Sequence, residues 1–472
     1  MKTHVAVVAS PGMGHIIPLF LFAKRLVTHH GLRVSFLNIT TEASTAQTQL
    51  LHSTDLPSGL DVVDLPPVDL STHVSKDALI VTRLCINVDQ TFRCLKSVLL
   101  KLGKLKALVI DLFCTQAIDV CKDLSVPVYS FVTTSSAFLA FSLYLPTMDR
   151  EVEGEYVDLP EPVQLPGCSR VRIEDLVDQI RDRKDVDYQW FLYNLSRLPL
   201  AAGILVNTWE DLEPLSLRAI RDNPFYQEIP TPPVYPIGPL VKNTETGPDV
   251  ERTLAWLDKQ PIDSVIFIAL GSAGSLSAQQ LTEFAWGLEL SGQRFLWVVR
   301  LPSDIACNSA AFFNAGGDVN DPTAYLPEGF LERTKEVGLV VSSWAPQAAV
   351  LSHASTGAFV SHCGWNSTLE SVALGVPMVG WPLYAEQRMN ATMLMEDVGV
   401  LRKPWAVGPA AKETTTIGRE EIERVMRSVI QGEDGKAIRR KAKELKVSAT
   451  KALNVGGTSY ESLSRLTEQW KA

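Results

Sequence analysis

Residues 344–387 read WAPQAAVLSHASTGAFVSHCGWNSTLESVALGVPMVGWPLYAEQ, and the fold is decided here. Gly357–Ser361 is an apolar run of strand length. His362–Glu370 opens a helix with small polar residues. Pro377–Trp381 is a second apolar run. Strand, helix and strand in succession make the repeating unit of a parallel sheet.

The same alternation extends in both directions. His4–Ser10, Arg33–Ile39, Leu60–Leu65, Ala107–Phe113, Val128–Val132 and Gly203–Thr208 are near-continuously apolar, as parallel strands covered on both faces are. Ser264–Leu270, Phe295–Arg300 and Gly338–Ser343 continue the series. A helical pattern over Ile17–His29 follows the first strand, and Ser277-Ala-Gln-Gln280 has the spacing of a capping box. The expected class is α/β with doubly wound parallel sheets. A chain of 472 residues is too long for one core, so two domains are expected. The proline-rich run Ile229–Pro239, then polar residues from Lys242 to Asp249, marks the junction. That places a first domain over 1–241, a linker over 242–252 and a second domain over 253–456. The aperiodic loop 302–327 has a length that usually carries function or motion.

Composition excludes several classes. The net charge of −9 argues against nucleic acid and anionic membrane surfaces as partners. An anionic ligand must then be held locally, by backbone N–H groups, a helix N-terminus and hydroxyls. Seven scattered cysteines without C-x-x-C fit a reduced, cytoplasmic setting, and no spacing suggests a metal site. The opening MKTHVAVVASPGMGH breaks at Pro11 and Gly12, which reads as a first strand rather than a signal peptide. No apolar run of about 18 residues suggests a membrane span.

The chemistry collects at strand ends, where open α/β sheets bind ligands. Residues 344–387 offer aromatic platforms (Trp344, Trp365, Trp381), a polar helix start and the acid–amide pair Glu386 and Gln387. That combination suits a nucleotide-sugar, with a base to stack, a diphosphate to neutralise and hydroxyls to read. Each element also has a structural reading. Trp344 can simply end a strand, and Ser367 with Glu370 has capping-box spacing. Ser10-Pro-Gly-Met-Gly-His15 lacks the third glycine of a dinucleotide loop.

Residues 344–387 closely resemble the signature box of plant family 1 UDP-glycosyltransferases, matching in length, order and almost every marked position. The resemblance implies the GT-B arrangement, two Rossmann-like domains facing across a cleft, with a final helix over 457–472 packing back on the first domain. It also implies a cytoplasmic protein, taken as a monomer, that uses UDP-glucose and neither cofactor nor metal. Carried over, Trp344 stacks on uracil, with Ala345 and Gln347 reading base edge and ribose. His362, Asn366, Ser367 and Ser272 meet the diphosphate, and Glu370 holds the ribose hydroxyls. Trp365 lines the sugar pocket, and Glu386 and Gln387 read the sugar, Gln387 favouring glucose. Ala269-Leu270 and Ser361 depart mildly from the family pattern.

The first loop resembles the family's general-base loop, which makes His15 the base and Asp111 its partner. An imidazole near its ordinary pKa of about 6.5 can take a proton at neutral pH. The implied reaction is an inverting displacement that gives β-glucosides. Pro11–His15, Asp111–Phe113, Leu165–Cys168, Asp182–Lys184 and Gly203–Asn207 resemble the hydroquinone and phenylpropanoid glucosyltransferase subgroup. Acceptors of phenol, monolignol or indoxyl type are therefore expected, with Phe113, Phe131, Leu84 and Trp190 as lining candidates beside Thr133, Ser136 and Leu139. The competing readings are a UDP-sugar epimerase and a non-catalytic nucleotide-sugar or small-molecule binding protein.

Overall fold

The computed structural model describes residues 2–53, 56–75, 78–242, 248–303, 321–342, 344–404 and 416–472. They fall into two compact units. One holds the residues up to 241 together with 451–472, the other those between 242 and 450.

The first unit contains β1 (His4–Val8), β2 (Arg33–Ile39), β3 (Leu60–Leu65), β4 (Ala107–Asp111), β5 (Val128–Val132), the small antiparallel pair β6 (Val163–Gln164) and β7 (Arg170–Val171), β8 (Gly203–Val206) and β9 (Val234–Pro236). Its seven-stranded sheet runs β3-β2-β1-β4-β5-β8-β9 with parallel pairings throughout. Val8 lies beside Leu37 on one side and Ile110 on the other. The second unit contains β10 (Val265–Ala269), β11 (Arg294–Val299), β12 (Gly338–Ser342), β13 (Thr356–Ser361), β14 (Met378–Gly380) and β15 (Leu401–Arg402). These form a six-stranded parallel sheet in the order β12-β11-β10-β13-β14-β15. Strand order reverses between β1 and β4 in one sheet and between β10 and β13 in the other. Connections leave such a point in opposite directions, so a crevice opens beyond the carboxyl ends of the two strands.

Four local expectations change. The first long helix spans Met13–His30, not Ile17–His29, because Gly12 takes φ 108° and turns the chain early enough to place His15 in its first turn. Pro18 is accommodated inside it, and Gly31 in the left-handed region closes it. The proline-rich run 229–239 is only partly a connector, since it supplies β9. A proline is tolerated there because β9 is an edge strand. The helix Pro248–Leu257 takes over the end of the expected 242–252 linker. Residues 243–247 of that linker and 304–320 of the long loop lie outside the described residues. At Ser277 half of the capping box forms. The hydroxyl accepts from the Gln280 N–H at 3.2 Å, while the Gln280 carboxamide bonds the backbone of Ile417 instead.

No described helix is long and apolar enough to cross a membrane. The helix Thr458–Lys471 joins the first unit's core through Leu463, Leu466 and Trp470. Trp470 is 2 % exposed and meets Tyr129 edge-on at 5.2 Å. Trp470→Ala should cost about 3–5 kcal/mol in urea unfolding. A cost below about 1 kcal/mol would mean that the surrounding core does not depend on the indole.

The same seam holds His30, whose Nε2 is buried without a hydrogen bond. Burial, then the Arg25 and Lys471 cations, lowers His30 to about 4. The unfolded chain titrates this group near 6.5, so folding favours the neutral ring. Its contribution is complete above pH 6.5 and is lost as pH falls toward 4. His30→Gln should flatten the pH dependence of the urea midpoint across that window. An unchanged slope would place the titration elsewhere.

Candidate active site

The two switch points carry the residues that the sequence singles out. In the first unit, β1 delivers Ser10 and the helix start at His15, and β4 ends on Asp111. Asp111 is fully buried, while His15 keeps 17 % of its side chain open. The His15 Nδ1 lies 2.8 Å from Asp111 Oδ2. The other carboxylate oxygen accepts from the Ser10 hydroxyl at 2.7 Å and the Phe113 N–H at 3.0 Å. With its acceptor positions used in this way, the carboxylate is fixed in orientation and holds the proton of His15 on Nδ1. Thr133 Oγ1 stands 3.2 Å from the same nitrogen.

Aromatic rings extend from this pair. Phe113 meets His15 edge-on at 5.6 Å, Phe191 lies 6.4 Å from Phe113, and Phe138 lies 6.1 Å from Phe191. Of the acceptor-side candidates, Phe113 belongs to this chain. Phe131 and Leu84 do not offer surface: Phe131 is fully buried against Phe22, and Leu84 is 1 % exposed. Trp190 is half-buried and packs on Tyr193. Its helix, Val186–Ser196, buries Asp187, Phe191 and Asn194 instead. Phe191, the residue after Trp190, is the ring that reaches Phe113, and it is itself only 3 % exposed. Ser10 was missed as a partner of Asp111.

In the second unit, the loop after β10 and the helix after β13 converge on His362. A Cβ on Gly271 would lie 2.7 Å from the His362 ring, and one on Gly364 would lie 2.4 Å from its Nε2. Only glycine on both sides leaves room for the imidazole. His362 is 8 % exposed and its Nδ1 has no hydrogen-bond partner. Burial lowers its pKa to about 4, so it stands neutral at pH 7.

The helix beyond it, Trp365–Leu374, has Gly364 as N-cap. Ser367 and Glu370 are thus inside the helix and out of register for a capping box. Gln347 joins them instead, donating to Ser367 Oγ at 3.0 Å and Glu370 Oε2 at 2.7 Å. Asn366 stands in the first turn, Ala345 is buried, and Ser272 is exposed after β10. Asn390 donates to the Cys363 carbonyl at 3.1 Å and to Glu386 at 3.2 Å, tying Glu386 to the His362 loop.

The three tryptophans differ. Trp344 is 53 % exposed, an open face at the end of β12. Trp365 is 3 % exposed and is not an open platform, and Trp381 is core, packed on Phe284 at 4.9 Å. Gln387 also differs from expectation. It is 3 % exposed, and its carboxamide oxygen accepts from the N–H groups of Leu383 and Tyr384. That oxygen shapes the preceding turn, leaving only the Nε2 hydrogens for a ligand.

Two parallel α/β units, one ending in a His–Asp pair and the other in an anion-ready helix N-terminus, define a nucleotide-sugar transferase of GT-B type. The model for the "UDP-glucoronosyl and UDP-glucosyl transferase" family matches residues 249–437. Hydroquinone glucosyltransferase of Rauvolfia serpentina is 45 % identical over 472 residues, covering 99 % of this chain and 98 % of its own. The crystal structure of TcCGT1 in complex with UDP superposes with a TM-score of 0.91 at 44 % identity, covering 100 % of this chain and 99 % of that one. A Polygonum tinctorium UDP-glucosyltransferase capable of glucosylating indoxyl, seen with 3,4-dichloroaniline, gives 0.88 at 42 % identity, with coverage of 100 % and 99 %. The chain belongs to the UDP-glycosyltransferase family and is a UDP-glucosyltransferase.

Gly364→Ala should displace the His362 ring and cut kcat/KM for UDP-glucose by about tenfold or more. A variant that folds normally and keeps its kcat/KM would show that the ring's position is unimportant.

Proposed function

We propose that the protein is an inverting O-glucosyltransferase that moves glucose from UDP-glucose to small phenolic or hydroxy-heteroaromatic acceptors. The observation that carries this reading is the His15–Asp111 hydrogen bond at 2.8 Å, with Phe113 beside the ring. His15 Nε2 takes the proton of the acceptor hydroxyl. The oxygen attacks the anomeric carbon as the bond to the diphosphate breaks, UDP leaves with the electron pair, and an α-linked donor yields a β-glucoside. Asp111 stabilises the imidazolium that forms. The leaving diphosphate is stabilised by the helix N-terminus at Asn366–Ser367 and by His362, without a metal.

The Phe113 ring set edge-on to His15 favours a flat acceptor. Phenol-type hydroxyls, with pKa near 10, lose a proton to imidazole more readily than alkyl alcohols do. The hydroquinone and indoxyl enzymes named above act within this acceptor class.

The test is acceptor-dependent UDP release from UDP-glucose with hydroquinone, coniferyl alcohol, indoxyl, a flavonol and a chloroaniline, with product masses. A hexose increment on the phenolic members supports the reading. Transfer to none of them would sink the acceptor assignment. His15→Ala should lower kcat by about 10²–10⁴ while leaving UDP affinity within about twofold. Retained turnover would remove His15 from the mechanism.

A further inference from the structure

Resting on the donor-site reading above, we infer that Arg300 is a positioning residue for the diphosphate, acting through the loop after β10 rather than by touching the ligand. Arg300 follows β11, the strand beside β10. One of its guanidinium nitrogens donates to two successive carbonyl oxygens, Gly271 at 3.1 Å and Ser272 at 2.6 Å.

Peptide planarity sets the consequence. Within each peptide unit the C=O and the following N–H point in opposite directions. Fixing the carbonyls of Gly271 and Ser272 on Arg300 therefore aims the N–H groups of Ser272 and Ala273 away from it. Neither N–H donates a hydrogen bond among the described residues. Ala273 is only 5 % exposed, and an unpaired N–H in a buried residue is costly. Two adjacent, co-directed, unused N–H groups make an anion cradle. They belong to the loop whose Gly271 borders the His362 ring.

Two glycines widen the range of backbone paths open to this loop. Gly271 sits at φ 81°, and a Cβ at Gly274 would fall 2.1 Å from the Leu270 carbonyl. Such a glycine-bearing turn has many alternative conformations. A charge-assisted pair of hydrogen bonds from Arg300 selects one of them.

The experiment compares the unsubstituted enzyme with Arg300→Met and Arg300→Lys. Inhibition constants are measured against UDP-glucose for UDP and for uridine, which shares the base and ribose but lacks the diphosphate. Arg300→Met should weaken UDP about tenfold or more and leave uridine within about twofold. Arg300→Lys, keeping the charge but not the planar fork, should fall between. Unchanged UDP inhibition in Arg300→Met would overturn the inference. So would equal loss of UDP and uridine, which would mark a general structural role, or a Lys variant no better than Met. Absence of UDP inhibition in the unsubstituted enzyme would overturn the donor-site reading itself, and this inference with it.

Discussion

Everything chemical in this molecule depends on the reversal of strand order in its two sheets. A parallel strand cannot satisfy a ligand along its length, because its backbone is consumed by its neighbours and its faces are covered. Ligand-binding groups must come from the ends. Where neighbouring strands send their connections in opposite directions, those ends stay uncovered. β1 and β4 meet in this way, and so do β10 and β13. His15 and Asp111 lie 96 residues apart in the chain yet 2.8 Å apart in space because their strands are adjacent and in register.

The two ends solve opposite electrostatic problems. Asp111 is a buried carboxylate supplied with donors from a hydroxyl, a backbone N–H and an imidazole. At His362, burial alone keeps the ring neutral, and its Nδ1 has no hydrogen-bond partner. The net charge of −9 does not prevent an anion site there, because backbone dipoles and a neutral ring act over a few ångströms. Long-range repulsion is screened over about 8 Å at physiological ionic strength.

The parts legible in the sequence were those in which one residue property decides the outcome. β2 and β5 span the stretches their apolar runs indicate, because both faces of those strands are covered, while β3 spans its run as a partly exposed edge strand. His15 and Asp111, expected as partners, do meet, because their strands are neighbours in the sheet. What stayed hidden was orientation. Trp190 and Phe191 are neighbours about 100° apart on one helix, and only packing shows which turns inward. Trp381 and Gln387 stand in a recognisable pattern, yet one fills core and the other ties a turn. β9 was obscured because its prolines argue against a strand, except at an edge, and edge position is not a local property.

The return of the C-terminal helix bears on how the protein is made. Leu463, Leu466 and Trp470 complete a core whose other members begin at Val5. A chain emerging from the ribosome presents its N-terminal sheet hundreds of residues before those partners exist. Among the described residues the second unit has its last strand at Leu401–Arg402. The first unit is thus begun before the second and completed after it, and its sheet waits, partly uncovered, for the helix Thr458–Lys471.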